Sequence, residues 1–203
     1  MVQGFVASTD LSIQRGIAVG VETAPVVPSP VVWYTGGHPV PRRGSVEAGR
    51  AALRCAGEVS SSGCLVVLLS GGASALMAVP GGAVTLREKI DTTRVLLGAG
   101  VPIHELNCVR KHLDELKGGG LAKIAAPARV MGLLLSDVLG DRPEVIASGP
   151  LSPDQTTFAD ALAVLESRHV RDRMPAPVLE YLESGARGEI PETPGPDAPF
   201  FAD

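Results

Sequence analysis

Two short, unbroken apolar runs dominate the hydrophobic pattern of this chain, at residues 65–69 and 130–135. Runs of this length are typical of strands that are covered on both faces, as in parallel sheets. Each run is followed directly by a polar or glycine-bearing segment. The pattern therefore predicts two fully buried strands, each of which ends in a loop.

Weaker β-branched runs predict further strands at residues 2–7, 16–21 and 31–34. Cap residues predict helices between the strands. Ser45 begins one helix that continues to Glu58, and Thr85 with Glu88 forms a capping box for another. Thr157 and Asp160 mark the start of a third helix.

Leucine and valine recur every three or four residues at positions 106, 109, 113 and 116, which predicts an amphipathic helix with one buried face. The basic residues Arg110, Lys111 and Lys117 lie off this apolar stripe. Arg110 and Lys111 each have an acidic residue four positions later, so surface ion pairs are one interpretation. The other is that the three cations bind a polyanionic substrate. Three glycines follow Lys117, more than a helix end needs, which favours binding at Lys117, Gly118 and Gly119.

These elements predict an α/β protein with a mainly parallel sheet and helices on both faces, a Rossmann-like three-layer arrangement. Residues 1–190 are predicted to form a single domain. Proline, glycine and aspartate dominate residues 191–203, which predicts a linker or a tail.

The first buried run ends at Ser70-Gly71-Gly72, and helix-forming residues that include Ser74 follow. A strand that turns through glycines into a helix leaves backbone N–H groups unpaired, and the helix dipole adds positive potential there. Together with the two hydroxyls, these groups predict a site for a phosphate. An ordinary turn between a strand and a helix is the alternative. The segment is neither a Walker A motif nor a dinucleotide fingerprint.

Asp137 and Asp141 follow the second buried run, at the strand end where parallel sheets bind ligands. Two carboxylates at such a position suit Mg²⁺. The alternative is that one aspartate caps a turn and the other is solvated. An anion site next to an acidic loop suggests magnesium-assisted phosphoryl transfer. His38, before a proline at the tip of another turn, is a candidate acid or base, or else a turn residue.

Composition excludes several other classes. The formal net charge is −4 without a basic stripe, which argues against nucleic acid as a partner. The three cysteines have no metal-type spacing and suggest free thiols in a reducing compartment. No signal peptide and no apolar run of membrane-spanning length is visible, so a cytoplasmic protein is expected.

Five motifs in matching order resemble the glycerate 2-kinase family, some members of which are labelled hydroxypyruvate reductase. They span residues 37–49, 69–76, 107–119, 135–138 and 146–150. The resemblance implies ATP- and Mg²⁺-dependent phosphorylation of D-glycerate, with the site in a cleft between two α/β domains. It implies nucleotide, substrate or metal contacts for the residues named above.

The resemblance also has departures. Members of the family are roughly twice as long and carry an N-terminal lysine segment and a second domain with an essential arginine. The chain is therefore expected to be incomplete, weak or inactive alone, and completed by a separate chain or a homodimer. Ala73 replaces a usual glycine, which requires a negative φ there. A non-catalytic phosphate-binding module and a nicotinamide-dependent reductase remain alternatives.

Overall fold

The computed structural model describes residues 1–10, 12–23, 26–136 and 140–201. The strands in these ranges are β1 (Gly16–Gly20), β2 (Val31–Thr35), β3 (Cys64–Leu69) and β4 (Arg129–Leu134). They form two separate parallel pairs, β1 with β2 and β3 with β4. The predicted α/β class with parallel pairing is confirmed, and its strands are divided between two two-stranded sheets.

The helices of the same ranges are α1 (Val2–Ser8), α2 (Arg43–Gly57), α3 (Ala73–Leu76), α4 (Leu86–Gly98), α5 (Ile103–His112), α6 (Gly120–Ala125), α7 (Phe158–Ser167) and α8 (Ala176–Ala186). The capping box of α4 forms as predicted, and α7 begins after Thr157 as predicted, with a capping box from Thr157 and Asp160. The strand predicted at residues 2–7 is wrong, because α1 occupies it. Its partly buried residues follow a helical spacing, so packing of one face overrides the β-branched composition.

The prediction that both central strands are fully buried is wrong. Leu69 is the only buried residue in β3, and β4 exposes much of its surface. Met131 and Leu133, which point to the same side of β4, are 49% and 44% exposed. The physical reason is that a two-stranded sheet has no further strand beside it, and here no described helix covers that face of β4.

Most of the apolar core lies among the helices. Residues of α4, α5, α7 and α8 form the larger buried cluster, and α2, α6 and the turn after α5 form a smaller one. All four residues of the predicted apolar stripe are buried. However, α5 ends at His112, so Leu113 and Leu116 reach the core from the turn that follows the helix.

The segment predicted to be a linker or tail has contacts with the helical core as far as it is described. The Glu192 carboxylate accepts hydrogen bonds from the Phe158 amide, and the Pro194 carbonyl accepts one from the Asp154 amide. Thr193 contacts Asp154 through its hydroxyl. The domain boundary placed at residue 190 stays a prediction.

A buried cluster of charges joins three segments around the Asp114 carboxylate. Lys89 Nζ on α4 lies 2.8 Å from Asp114 Oδ2, and Lys117 Nζ lies 3.3 Å from the same oxygen. The Val79 amide also donates to this oxygen, and the Leu116 amide donates to Oδ1. Two ammonium groups therefore share one carboxylate in a buried site.

Burial shifts the pKa values of this cluster. It lowers the pKa of Lys89 to about 8, against the opposing attraction of Asp114. It lowers the pKa of Lys117 as well. Burial alone would raise the pKa of Asp114, but the charges of Lys117 and Lys89 and the hydrogen bonds it accepts bring it below its usual value. Asp114 is thus ionised and supplies a negative charge that the two lysines share.

Asp114→Asn should strongly destabilise the protein, because it leaves two buried ammonium groups without a counter-charge. The expected loss is about 3–5 kcal/mol of unfolding free energy, measured by urea denaturation. The control is Asp91→Asn, which removes an exposed partner of Arg87 and Arg94 and should cost much less. Equal urea midpoints for the two variants would contradict this role of Asp114.

Lys89 should make stability depend on pH in the alkaline range. The folded protein releases the Lys89 proton near pH 8, whereas an unfolded lysine releases it near 10.5. Between these values the unfolded state binds more protons, so the wild type should gain stability over Lys89→Met as pH rises, by at most about 1.4 kcal/mol per pH unit. Urea denaturation from pH 7 to 10 measures the difference, with Lys123→Met on exposed surface as the control. A pH-independent difference would refute the prediction.

Candidate active site

The carboxyl ends of β2, β3 and β4 meet at one place. The Leu135 amide donates to the Leu69 carbonyl, so the segments after β3 and β4 leave the sheet side by side. The loop after β2 reaches the same place, since a methyl group on Gly36 would lie 2.8 Å from the carbonyl oxygen of Leu76 in α3. The predicted convergence of strand-end loops is therefore present for the described residues.

Gly72 makes the turn between β3 and α3. Its φ is +82°, in the region that favours glycine. The helix that follows has a single turn, Ala73–Leu76, so it contributes little of the dipole that the sequence predicted at its start. Ala73 lies inside this helix and has no positive φ, which meets the condition for tolerating a methyl group there.

Donor groups at this turn remain available. No described residue accepts a hydrogen bond from the backbone N–H of Gly71 or Gly72. The His38 ring lies beside them, because a methyl group on Gly72 would be 2.8 Å from His38 Cδ2 and 3.1 Å from Nε2. His38 is exposed and forms no hydrogen bond within the described ranges. The turn thus offers two amides and an imidazole to a ligand.

Arg110 reaches the same turn from α5. Its Nη2 donates to Ser74 Oγ at 2.5 Å, and Ser74 Oγ lies 2.9 Å from Ser148 Oγ. Ser148 Oγ donates in turn to Asn107 Oδ1 at 3.2 Å. Burial lowers the pKa of Arg110, but a guanidinium stays protonated in a protein, so Arg110 is positively charged. No described carboxylate forms an ion pair with this guanidinium.

The loop that carries Ser148 has an unusual backbone. Ala147, Ser148 and Gly149 have φ values of +55°, +62° and +64°. The amide of Gly118 donates to the Ser148 carbonyl, and the amide of Gly119 donates to the Gly149 carbonyl. The triple glycine therefore supports this loop. Because these two amides are engaged, they are not available to a cofactor in this arrangement.

The other two predicted basic residues lie in internal ion pairs. Lys111 Nζ is 3.2 Å from the buried Asp154 carboxylate. Lys117 is fully buried, pairs with Asp114 and donates to the Met77 carbonyl at 3.0 Å. Neither i,i+4 pair that the sequence suggested is formed, because α5 ends before Asp114 and Glu115. The cluster of three basic residues thus presents only Arg110 to the turn.

Of the two predicted metal ligands, the structure describes only Asp141. Asp137 lies outside the described residues. Asp141 is exposed, with a φ of +49°. Among the residues that are described, no group of three or more histidine, cysteine, aspartate or glutamate side chains could hold a metal ion. The donor set for Mg²⁺ stays a prediction.

Sequence reasoning missed Asn107 and Ser148 as members of the hydrogen-bonded chain that begins at Arg110 and Ser74. Both occur in the motifs that carry the family resemblance, but nothing in their spacing connects them to Ser74. The signal available for Ser148 is that it lies in a run of small residues, which suits close packing against another segment. The contact with Ser74 joins residues 74 positions apart.

Comparison with known proteins places this chain in a family. A model of the DUF4147 domain, described as a domain of unknown function, matches residues 1–183. The chain belongs to the DUF4147 family. No helix within the described ranges has the length and hydropathy to cross a membrane.

Members of this family include named kinases. The glycerate 2-kinase of Pyrococcus horikoshii is 40% identical over 163 residues, which is 80% of this chain and 37% of that protein. The resemblance inferred from the motifs is thereby confirmed.

Solved structures of family members have the same fold. A protein of Pyrococcus horikoshii OT3 matches with a TM-score of 0.87 and 36% identity, over 95% of this chain and 44% of its own. A glycerate kinase of Thermotoga maritima matches with a TM-score of 0.79 and 38% identity, over 90% and 42%. The chain thus spans about two fifths of the relatives it matches.

Gly72→Ala should disturb both the turn and His38. Alanine at φ +82° is strained, and its methyl group would press on the imidazole ring. We expect a loss of about 1–2 kcal/mol in unfolding free energy. The control is Gly98→Ala in α4, where an added methyl group meets nothing within 4 Å and should stabilise the helix by roughly 0.5–1 kcal/mol. Chemical denaturation compares the two, and a Gly72→Ala variant as stable as the wild type would contradict the strain.

Proposed function

We propose that this chain carries the anion-binding part of an ATP-dependent kinase site for D-glycerate. The single observation that carries the proposal is that Arg110, which forms no ion pair with a described carboxylate, lies at the same turn as the amides of Gly71 and Gly72, which donate to no described residue. Relatives named glycerate kinase support the substrate and the reaction type.

The proposed chemistry uses charge and hydrogen bonding. The amides of Gly71 and Gly72 donate to phosphoryl oxygens, and the guanidinium of Arg110 balances their negative charge. Charge balance of this kind is the main task of a protein in phosphoryl transfer. His38 lies beside the turn and forms no hydrogen bond with another described residue. It would accept the proton of the glycerate hydroxyl as that oxygen bonds to the γ-phosphorus, while the bond from this phosphorus to the β–γ bridging oxygen breaks and ADP leaves.

Magnesium is part of the proposal as a companion of ATP, since it would neutralise phosphate charge when bound. Asp141 and Asp137 are the proposed carboxylate ligands, because both follow β4. Of these two carboxylates, only that of Asp141 belongs to a described residue. No step is therefore assigned to the ion.

Arg110→Gln should weaken binding of ATP and D-glycerate by at least about tenfold, because a charged hydrogen bond to a phosphate or carboxylate is worth about 1.5–3 kcal/mol. Isothermal titration of each ligand, with and without Mg²⁺, measures the change. The matched control is Arg129→Gln, which lies at the opposite end of β4 and should leave affinity unchanged.

Turnover is measured separately, by following ³¹P resonances of ATP and the phosphoglycerate product. Binding with turnover supports the kinase proposal, and binding without turnover supports the alternative of a non-catalytic phosphate-binding module. Equal affinities for wild type and Arg110→Gln would overturn the assignment of the anion site.

A further inference from the structure

We propose that Ser148 is a positioning residue, which orients the Arg110 guanidinium through Ser74 without neutralising its charge. The inference rests on the proposed function, since it concerns how Arg110 is presented to an anionic group of the substrate. It assigns a role to the strained loop at residues 147–149 and to the glycine turn that supports it.

The hydrogen bonds that join Arg110 to Asn107 through the two serines have a fixed direction. The hydroxyl proton of Ser148 points to Asn107 Oδ1. A hydroxyl has one proton, so in the contact between the two serines Ser74 must donate and Ser148 must accept. Arg110 then donates to Ser74. Every proton in the chain points away from the guanidinium and towards Asn107, and Ser74 has no proton left for a ligand.

The acceptors of this chain are neutral, and that distinguishes Arg110 from the neighbouring lysines. Lys111 and Lys117 are paired with the carboxylates of Asp154 and Asp114, which compensate their charges. A hydroxyl orients the guanidinium but adds no negative charge. Arg110 thus keeps its positive charge for a ligand while one of its N–H groups is fixed in direction.

The backbone of the Ser148 loop gives independent support. A left-handed conformation is unfavourable for alanine and serine, and strained residues of this kind persist only where their surroundings determine them. Ser148 and Gly149 are held by the amides of Gly118 and Gly119. Glycine would suit the backbone better than serine at position 148. The serine is therefore explained by its hydroxyl, which is buried between Ser74 and Asn107.

Two glycine substitutions in the same strained loop separate positioning from stability. Ser148→Gly relieves backbone strain but removes the hydroxyl, so its thermal midpoint should stay near that of the wild type while the dissociation constant for ATP or D-glycerate rises about tenfold. Ala147→Gly relieves strain and keeps the hydroxyl, so it should melt no lower than the wild type and bind both ligands unchanged. Isothermal titration and thermal melting provide both readouts.

A second pair of variants, in α3, tests the same chain without altering the strained loop. Ser74→Ala removes the acceptor that Arg110 uses and should lose affinity to a similar extent. Ser74→Thr retains the hydroxyl and should restore affinity. If Ser148→Gly and Ser74→Ala bind like the wild type while Arg110→Gln binds weakly, positioning is overturned and the proposed function stands. If Arg110→Gln itself binds like the wild type, the assignment of the anion site in the proposed function is overturned, and the positioning role of Ser148 is overturned with it.

Discussion

The Asp114 carboxylate is the constraint on which the arrangement of the site depends. It holds Lys89 of α4, Lys117 of the turn after α5, and the Val79 amide in the segment that follows α3. Separating either lysine would leave a buried charge without its partner, which costs several kcal/mol, and separating Val79 would leave its amide without this acceptor. The segments after α3 and α5 are therefore fixed with respect to one another. This relation brings Ser74, on α3, opposite Arg110, on α5.

The same constraint sorts the basic residues by task. Each lysine of the basic segment faces a buried carboxylate, and its charge is used within the fold. Arg110 donates to the hydroxyl of Ser74 and forms no ion pair with a described carboxylate, although the charge of Asp114 acts on it. A ligand with negative charge would therefore find one oriented cation at the turn. The five donors of a guanidinium suit this position better than an ammonium, because one can be fixed internally while others remain for the ligand.

The sequence predicted features that depend on local pattern. The capping box at Thr85, the helix start at Thr157, the strand segments β3 and β4, and the burial of the leucine and valine stripe follow from short-range rules. The position of the glycine turn at the end of β3 follows from the same rules. These rules hold because each concerns residues that are close together in the sequence.

Features that depend on distant partners could not be predicted. The sequence does not show the ion-pair partners of Lys111 and Lys117. Asp154, the partner of Lys111, is 43 positions away in sequence. Asp114, the partner of Lys117, lies within the predicted helix, but α5 ends before it. The exposure of β4 was missed because an apolar run gives no information about how many strands lie beside it. The contact between Ser74 and Ser148 requires two loops to meet, and neither loop contains a sign of the other.

The two left-handed turns at the site differ in a way that indicates what each contributes. The first turn has glycine at position 72, the residue best suited to a positive φ, and the lack of a side chain there leaves room for the His38 ring. Ala147 and Ser148 adopt the same region without that advantage. If no side chain were needed at position 148, the protein would be more stable with glycine there. The first turn therefore serves the site through its backbone, and the second through the Ser148 hydroxyl that its strain places against Ser74.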